Sequence, residues 1–402
     1  MRILQISPQF PFPASDGGKI GISNIFKNLS LNNEVTFLCY SDKEIEKKHL
    51  LEASKYGEVI ILKHNLENTP LRIFKSLFVS NSIYFSKYIN QSVFDKIDNI
   101  IENGNFDIIH CDHSAIGQLG VYIKEKYGIP VGLRLHNIEY MIWQRYADEL
   151  KKGNWKDKLQ YFYIKDQANL LKYEETSLFP KLDVCFPITQ VDLDRAKELS
   201  PDANLVLAKG GVDTELWKNN NIKKNKHEIV IASNYKWVHN VTGLIWFIEN
   251  VMPKILKVIP HTKLKIIGTT PPEILSKYKH LNVEVLGYVS DVVSEIAKSS
   301  LTISPLFVGS GIRIKILESL SAGTPVVSTS IAAEGINATE KEGLYIADDK
   351  EEFAKMCLDL LNYDEKASQA AKQGRELIKK EYSMEKMSKV IIEEYKRILG
   401  IN

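Results

Sequence analysis

The residues best placed to do chemistry together lie between Leu301 and Thr329. An apolar, β-type run (Leu301 to Pro305) enters a loop holding Gly309 and Gly311. A helical pattern then runs to Gly323, and Pro325-Val-Val-Ser-Thr starts another strand. Strand, glycine loop, helix and strand make a βαβ unit, whose ligands bind outside the carboxyl end of the strand. Glycines there let backbone N–H groups reach an anion, and a helix N-terminus adds about half a positive charge. At about 100° per residue, Gly311, Lys315, Glu318 and Ala322 share one stripe, and Ile312, Ile316 and Leu320 share a core stripe. A rise of ~1.5 Å per residue sets Lys315 about 6 Å and Glu318 about 10 Å along the axis from Gly311. A cation near a phosphate, with a carboxylate one turn on, suits a nucleoside diphosphate whose ribose hydroxyls need an acceptor. Arg313 falls on the other side of an ideal helix and reaches the same ligand only from the first turn. Spacing alone leaves a second reading open, an ordinary surface ion pair between Lys315 and Glu318.

Other candidates also follow strand-like runs. The first run leads through a proline-rich stretch to Gly17-Gly18, ahead of a helical pattern from Ile20 to Leu31. Their N–H groups can face an anion, or the pair is simply a loop. His136-Asn137-Ile138-Glu139 follows Val131–Leu135, so His136 sits at a strand's carboxyl end. Asp112 and His113 end the neighbouring run. Asp112, His113, Asn137 and Arg145 are acceptor-side candidates, with Arg145 equally suited to an ion pair. Glu334-Gly335 follows Val326–Ser328 and either lines the same pocket or is a turn. Trp237 is expected to pack. Asp192-Leu193-Asp194 has a metal-binding D-x-D form but lies in a helical stretch, so it is read as a helix N-terminal charge effect and no metal site is expected.

The elements that must position these residues alternate. Strand-like runs at Ile3–Ile6, Val35–Tyr40, Val59–Leu62, Ile108–Cys111, Val131–Leu135 and Val184–Ile188 have helical patterns between most of them. After a polar stretch, Asn219 to Glu228, the alternation restarts at Ile229–Ala232, Leu264–Ile267, Val283–Leu286, Leu301–Ser304, Val326–Ser328 and Leu344–Ile346; from Glu351 the pattern is helical. This predicts an α/β chain of two Rossmann-like, doubly wound domains with a cleft between them. Fifty-two basic and fifty acidic side chains nearly cancel, so no nucleic-acid partner is expected. Cys39, Cys111, Cys185 and Cys357 lack metal spacing and read as small buried hydrophobes. No secretory leader or membrane-spanning run is visible, and the expected location is cytoplasmic. Asn68 to Asp95 carries Arg72, Lys75 and Lys87, no acidic residue, and Leu71, Ile73, Phe74, Leu77, Phe78, Tyr84, Phe85 and Tyr88. It reads either as a membrane-surface or lipid-linked-acceptor element or as a partly buried helical excursion.

The 301–329 segment resembles the donor-binding segment of retaining GT-B glycosyltransferases of family 4. They share the proline-containing strand end, the glycine loop, Leu317-Glu318 on a helix and Ala322-Gly-Thr-Pro-Val-Val. Glu318 matches the second glutamate of that family's E-x7-E motif, used on the nucleotide ribose; the first would fall at Ser310, where the sugar-hydroxyl contact is therefore left to backbone around Gly309–Gly311. Gly210-Gly-Val-Asp followed by Trp217 is similar to the family's interdomain Asn-Gly-Val-Asp. The resemblance implies that Gly17 and Gly18 line the donor phosphate, that His136 contacts the transferred sugar, and that Asn234 and His239 stand where the family carries Arg and Lys. The cationic duty would then shift to Lys315 and Arg313, with Lys236 in reserve. By the same resemblance, residues 1–208 form the acceptor-side domain, 209–380 the donor domain, and 381–402 a helix crossing back to the first. It implies metal-independent, retaining transfer of a sugar from a nucleotide-diphosphate donor to a glycan or lipid-linked acceptor in surface polysaccharide or glycoconjugate synthesis, with no cofactor and a peripheral membrane contact. A nucleotide-sugar epimerase and a catalytically silent sugar-nucleotide-binding scaffold are the rival readings.

Overall fold

The computed structural model describes the 402-residue chain apart from residues 15–16, 77–80, 218–221, 310, 363 and 402. Backbone contacts divide it into two compact units, Met1–Lys209 with Met387–Asn402, and Gly210–Lys386.

In the first unit, β1 (Arg2–Ser7), β2 (Glu34–Ser41), β3 (Glu58–Lys63), β4 (Ile108–Asp112), β5 (Val131–Leu135) and β6 (Val184–Pro187) form one parallel sheet, ordered β3-β2-β1-β4-β5-β6. A parallel sheet covered on both faces wants near-continuous apolar strands. Ile3, Leu4, Ile6, Ile109, Leu133 and Val184 accordingly lie in the interior. Chain order reverses between β1 and β4, which opens the crevice at their carboxyl ends. Four buried polar residues, Gln5, His110, Asp112 and Arg134, interrupt these apolar strands. Such groups are costly unless bonded, so their presence marks a built polar row.

The final helix, Met384–Leu399, belongs to this unit from Met387 onward. Its Tyr395 hydroxyl lies 2.5 Å from His110 Nδ1. Gly132 makes the slot, because a Cβ there would stand 2.4 Å from the Tyr395 oxygen.

In the second unit, β7 (Glu228–Ala232), β8 (Lys263–Ile267), β9 (Val283–Gly287), β10 (Leu301–Ser304), β11 (Val326–Ser328) and β12 (Leu344–Ile346) form another parallel sheet, ordered β12-β11-β10-β7-β8-β9. Here the order reverses between β7 and β10. Helix Val238–Trp246 follows β7 closely enough that a Cβ at Gly243 would sit 1.9 Å from the Pro305 carbonyl oxygen beyond β10. Glycine at that position brings the two loops of the crevice together.

Each strand-like run read from the sequence is a strand. The stretch from Asn68 to Asp95 divides: Leu71 and Phe74 on helix Pro70–Ser76 are exposed, whereas Ile83, Phe85 and Tyr88 are in the core. Leu77 and Phe78 fall outside the described residues. All four cysteines are buried and free.

Candidate functional site

In the second unit the site is assembled at the carboxyl ends of β7 and β10. The helix carrying Lys315 and Glu318 begins at Ile314 and ends at Ser321, later than the stripe through Gly311 predicts. Arg313 is therefore not in its first turn. It is the residue before the helix, with φ −90° and ψ 92°, and its guanidinium folds back to donate from Nη1 to the Gly311 carbonyl at 3.3 Å. Gly309 (φ 134°) and Gly311 (φ 78°) adopt backbone conformations that favour glycine. Space matters as well, since a Cβ at Gly309 would stand 2.1 Å from Arg313 Nη2. Ser310, between them, is outside the described residues.

Lys315 crosses the crevice. Its ammonium donates to Ser233 Oγ at 3.2 Å and to Asn240 Oδ1 at 3.4 Å, both beyond β7. Burial first and Arg313 second, with Glu318 opposing, together pull its pKa down to about 7. Burial also lowers the His239 imidazole, with Arg313 and Lys315 adding to the effect. Arg313 and Lys315 from beyond β10 and His239 from helix Val238–Trp246 thus crowd one place, and Glu318 is the carboxylate that answers Lys315. Burial raises Glu318 to about 7.

Asn234 is occupied locally: its side-chain oxygen accepts from the Lys236 N–H at 3.1 Å, and its carbonyl accepts from Asn240 at 2.8 Å. It shapes the loop. Glu334 is half-buried in turns beyond β11, at the same end of the sheet. Trp237, expected to pack, is 58% exposed and stacks at 6.0 Å on His239. It is the residue just before helix Val238–Trp246, and Val238 beside it is exposed as well.

In the first unit the polar row meets at Asp112. One of its oxygens accepts from Arg134 Nε at 2.6 Å and from His136 Nε2 at 3.1 Å, the other from Gln5 Nε2 at 2.9 Å. Burial alone would raise this carboxyl, but Arg134 and His136 outweigh it and hold it well below the usual carboxylate range. Asp112 is wholly enclosed, so it orients His136 and does not itself meet an acceptor. Burial and Arg134 lower the His136 imidazole, against the pull of Asp112. Helix Gly17–Leu29 packs behind this pair, with Gly21 leaving 3.4 Å between a notional Cβ and Arg134 Nη2. Gly17 and Gly18 open that helix. Asn137 bonds to Glu139, and Arg145 is half-buried on helix Glu139–Lys152. Asp192 lies in the first turn of helix Gln190–Leu199, its N–H donating to Oγ of the capping Thr189 at 2.9 Å and its carboxylate accepting from that hydroxyl at 2.7 Å.

Residues 226–363 match the family described as glycosyl transferases group 1. The second unit is a group 1 glycosyltransferase domain. Over 98% of the chain and 99% of the relative, the protein is 23% identical to an uncharacterized 44.6 kDa protein in the cps region of Klebsiella pneumoniae. Sucrose-phosphate synthase of Thermosynechococcus elongatus superposes with a TM-score of 0.74 at 13% identity, covering 100% of this chain and 99% of that one. Anabaena HepE, in complex with UDP, gives 0.70 at 13% identity, covering 99% and 100%. The chain has the GT-B fold.

No motif in the sequence marks Gln5, Arg134 or Glu175 as a site residue. Arg134 left a signal, a charge inside the apolar run Val-Gly-Leu-Arg-Leu. Glu175 left none, because it arrives from a helix distant in sequence.

Proposed function

We propose that the protein transfers a sugar from a nucleoside-diphosphate sugar to an acceptor hydroxyl, with retention of configuration, and that it needs neither a catalytic metal nor a cofactor. The observation that carries this reading is the convergence of Arg313, Lys315 and His239 where β7 and β10 end, inside the segment that matches the glycosyltransferase family. Crowded cations raise one another's free energy, and a diphosphate relieves it. Charge develops on the diphosphate as the glycosidic bond breaks, so preorganised cations stabilise the transition state. Glu318 accepts from the ribose hydroxyls. In the first unit, Asp112 and Arg134 fix His136 to face the sugar as positive charge grows on it, and a leaving phosphate oxygen takes the acceptor's proton.

HepE is known with UDP-glucose as well as UDP, which supports a nucleotide sugar as donor. The Klebsiella relative's place in a cps region supports a role in surface polysaccharide or glycoconjugate synthesis, with a glycan or lipid-linked acceptor. No helix among the described residues is long and apolar enough to cross a membrane. Exposed Leu71 and Phe74, beside Arg72, support a peripheral contact with the inner face of the membrane. Glu318→Ala tests the donor half: it should lose charge-assisted hydrogen bonds to ribose, roughly 1.5–3 kcal/mol of nucleotide affinity. Equal affinities would make Glu318 a bystander. Turnover should persist in EDTA; its loss, with recovery on adding Mn²⁺ or Mg²⁺, would overturn the metal-free reading.

A further inference from the structure

His113, just beyond β4, holds a backbone conformation that L residues rarely adopt, with φ 146° and ψ 144°. Such strain persists where surrounding structure enforces it. In this conformation His113 Nδ1 accepts from the Ala115 N–H at 3.3 Å, and the Tyr84 hydroxyl lies 2.9 Å from the same nitrogen. A backbone N–H can only donate, so Nδ1 is the unprotonated nitrogen and Nε2 carries the hydrogen. That Nε2 stands 3.8 Å from Glu139 Oε1. The gap is too long for a direct hydrogen bond, but one oxygen about 2.8 Å from both atoms fills it, with an angle of roughly 85° at that oxygen. The His113 side chain is 21% exposed and the Glu139 side chain 7%, so a ligand would approach the pair from the His113 side.

Glu139 is free to serve there because the helix it begins is anchored by another residue. The Glu139 and Tyr140 N–H groups donate to the two oxygens of Glu175, at 2.9 and 3.0 Å. Around the Glu139 carboxyl stand Asn137 and Tyr84 as hydrogen-bond partners, Asp192 and Glu175 as like charges, and Lys87 as the opposing charge. Around His113 stand His136, with ring centroids 4.9 Å apart, Asp112, Arg134 and Lys87. An anion would crowd the Glu139 oxygens, and a cation would face the His113 N–H. A neutral hydroxyl, which donates and accepts at one oxygen, satisfies both.

We infer that His113 and Glu139 together recognise one alcohol group of the acceptor, the His113 Nε2–H donating to its oxygen and its O–H donating to Glu139 Oε1. This rests on the reading of the first unit as the acceptor side and names a polyhydroxyl ligand, a sugar or polyol, for it. Glu139 and His113 are positioning residues in this assignment, since no proton changes hands.

Long-range ¹H–¹⁵N spectra of the wild-type protein read the His113 tautomer, and titration with the methyl pyranosides of glucose, galactose and mannose probes the pair. The expected result is the Nε2–H tautomer, with at least one glycoside shifting that resonance saturably. Glu139→Gln, which keeps the side chain's shape, should weaken that glycoside tenfold or more. His113→Leu should do the same, and His113→Gln, which restores an N–H near the Nε2 position, should recover part of the loss. Nucleoside-diphosphate affinity should stay unchanged in Glu139→Gln and His113→Gln, and the melting temperature in Glu139→Gln. An Nδ1–H tautomer, glycosides that leave the resonance unmoved, or undiminished binding to Glu139→Gln would overturn the inference. If glycosides bind and no nucleoside diphosphate does, the donor reading fails and this one stands.

Discussion

Lys315 holds two hydrogen bonds across the crevice while its ammonium sits beside Arg313, an arrangement strained until an anion arrives. Replacing it with Ala should lower kcat about 10²–10³-fold, with a smaller change in donor KM, because it acts most on charge developing in the transition state. The periodicity of residues 311–322 ranks Arg313 below Lys315, since an ideal helix points it away. The structure removes that reason: Arg313 precedes the helix and covers the glycine loop, so Arg313→Ala should be of comparable severity. Steady-state kinetics of the two variants decides between the rankings. The lowered Lys315 pKa has its own consequence. At pH 8 the free ammonium, with a pKa of about 7, is largely neutral, and a bound diphosphate should recharge it. Nucleotide binding there should take up protons and weaken as pH rises above 7. Titration calorimetry in buffers of different ionisation enthalpy measures this, and zero uptake would contradict it.

At the scale of elements, the strands were legible because parallel strands buried on both faces are written as short apolar runs flanked by helical patterns. The start of the helix at Ile314 was not. No Ser, Thr, Asp or Asn stands just before it to mark the N-cap, and the apolar stripe continues back through Ile312 as though the helix did. Gly243 was equally silent, since its meaning is a contact with Pro305 that only the fold creates. Gly243→Ala forces the Pro305 carbonyl to move and should destabilise the protein by about 1–3 kcal/mol, read by denaturant unfolding. The anchor of helix Glu139–Lys152 makes a prediction with pH. Burial raises the Glu175 carboxyl to about 8, above its unfolded value, so its contribution to stability is complete in acid and is lost as pH rises through 8. Glu175→Gln cannot ionise; its stability relative to wild type should therefore increase between pH 6 and pH 9 in parallel melts. A constant difference would mean Glu175 is charged throughout.

For the whole molecule, the chain's last helix is tied to the first unit by one buried pair, the Tyr395 hydroxyl and His110, in a slot that Gly132 leaves open. His110 Nε2 is buried without a partner, so Tyr395→Phe strands both ring nitrogens and should cost about 1–3 kcal/mol, again by denaturant unfolding. Nothing in the helical pattern from Met384 to Leu399 singles Tyr395 out; its meaning depends on strands far away in sequence. The crevice of the second unit, by contrast, was largely legible from glycines, a cation and a carboxylate at helical spacing, while His239 is brought to it by helix Val238–Trp246 after β7. Nucleoside diphosphates titrated calorimetrically into wild-type protein and into Lys315→Ala test this site most directly. At least one base should give saturable binding to wild type, weakened by Lys315→Ala with no loss of folded protein. If none of the common nucleoside diphosphates binds, or if one binds both proteins equally, Arg313, Lys315 and His239 do not hold a donor diphosphate.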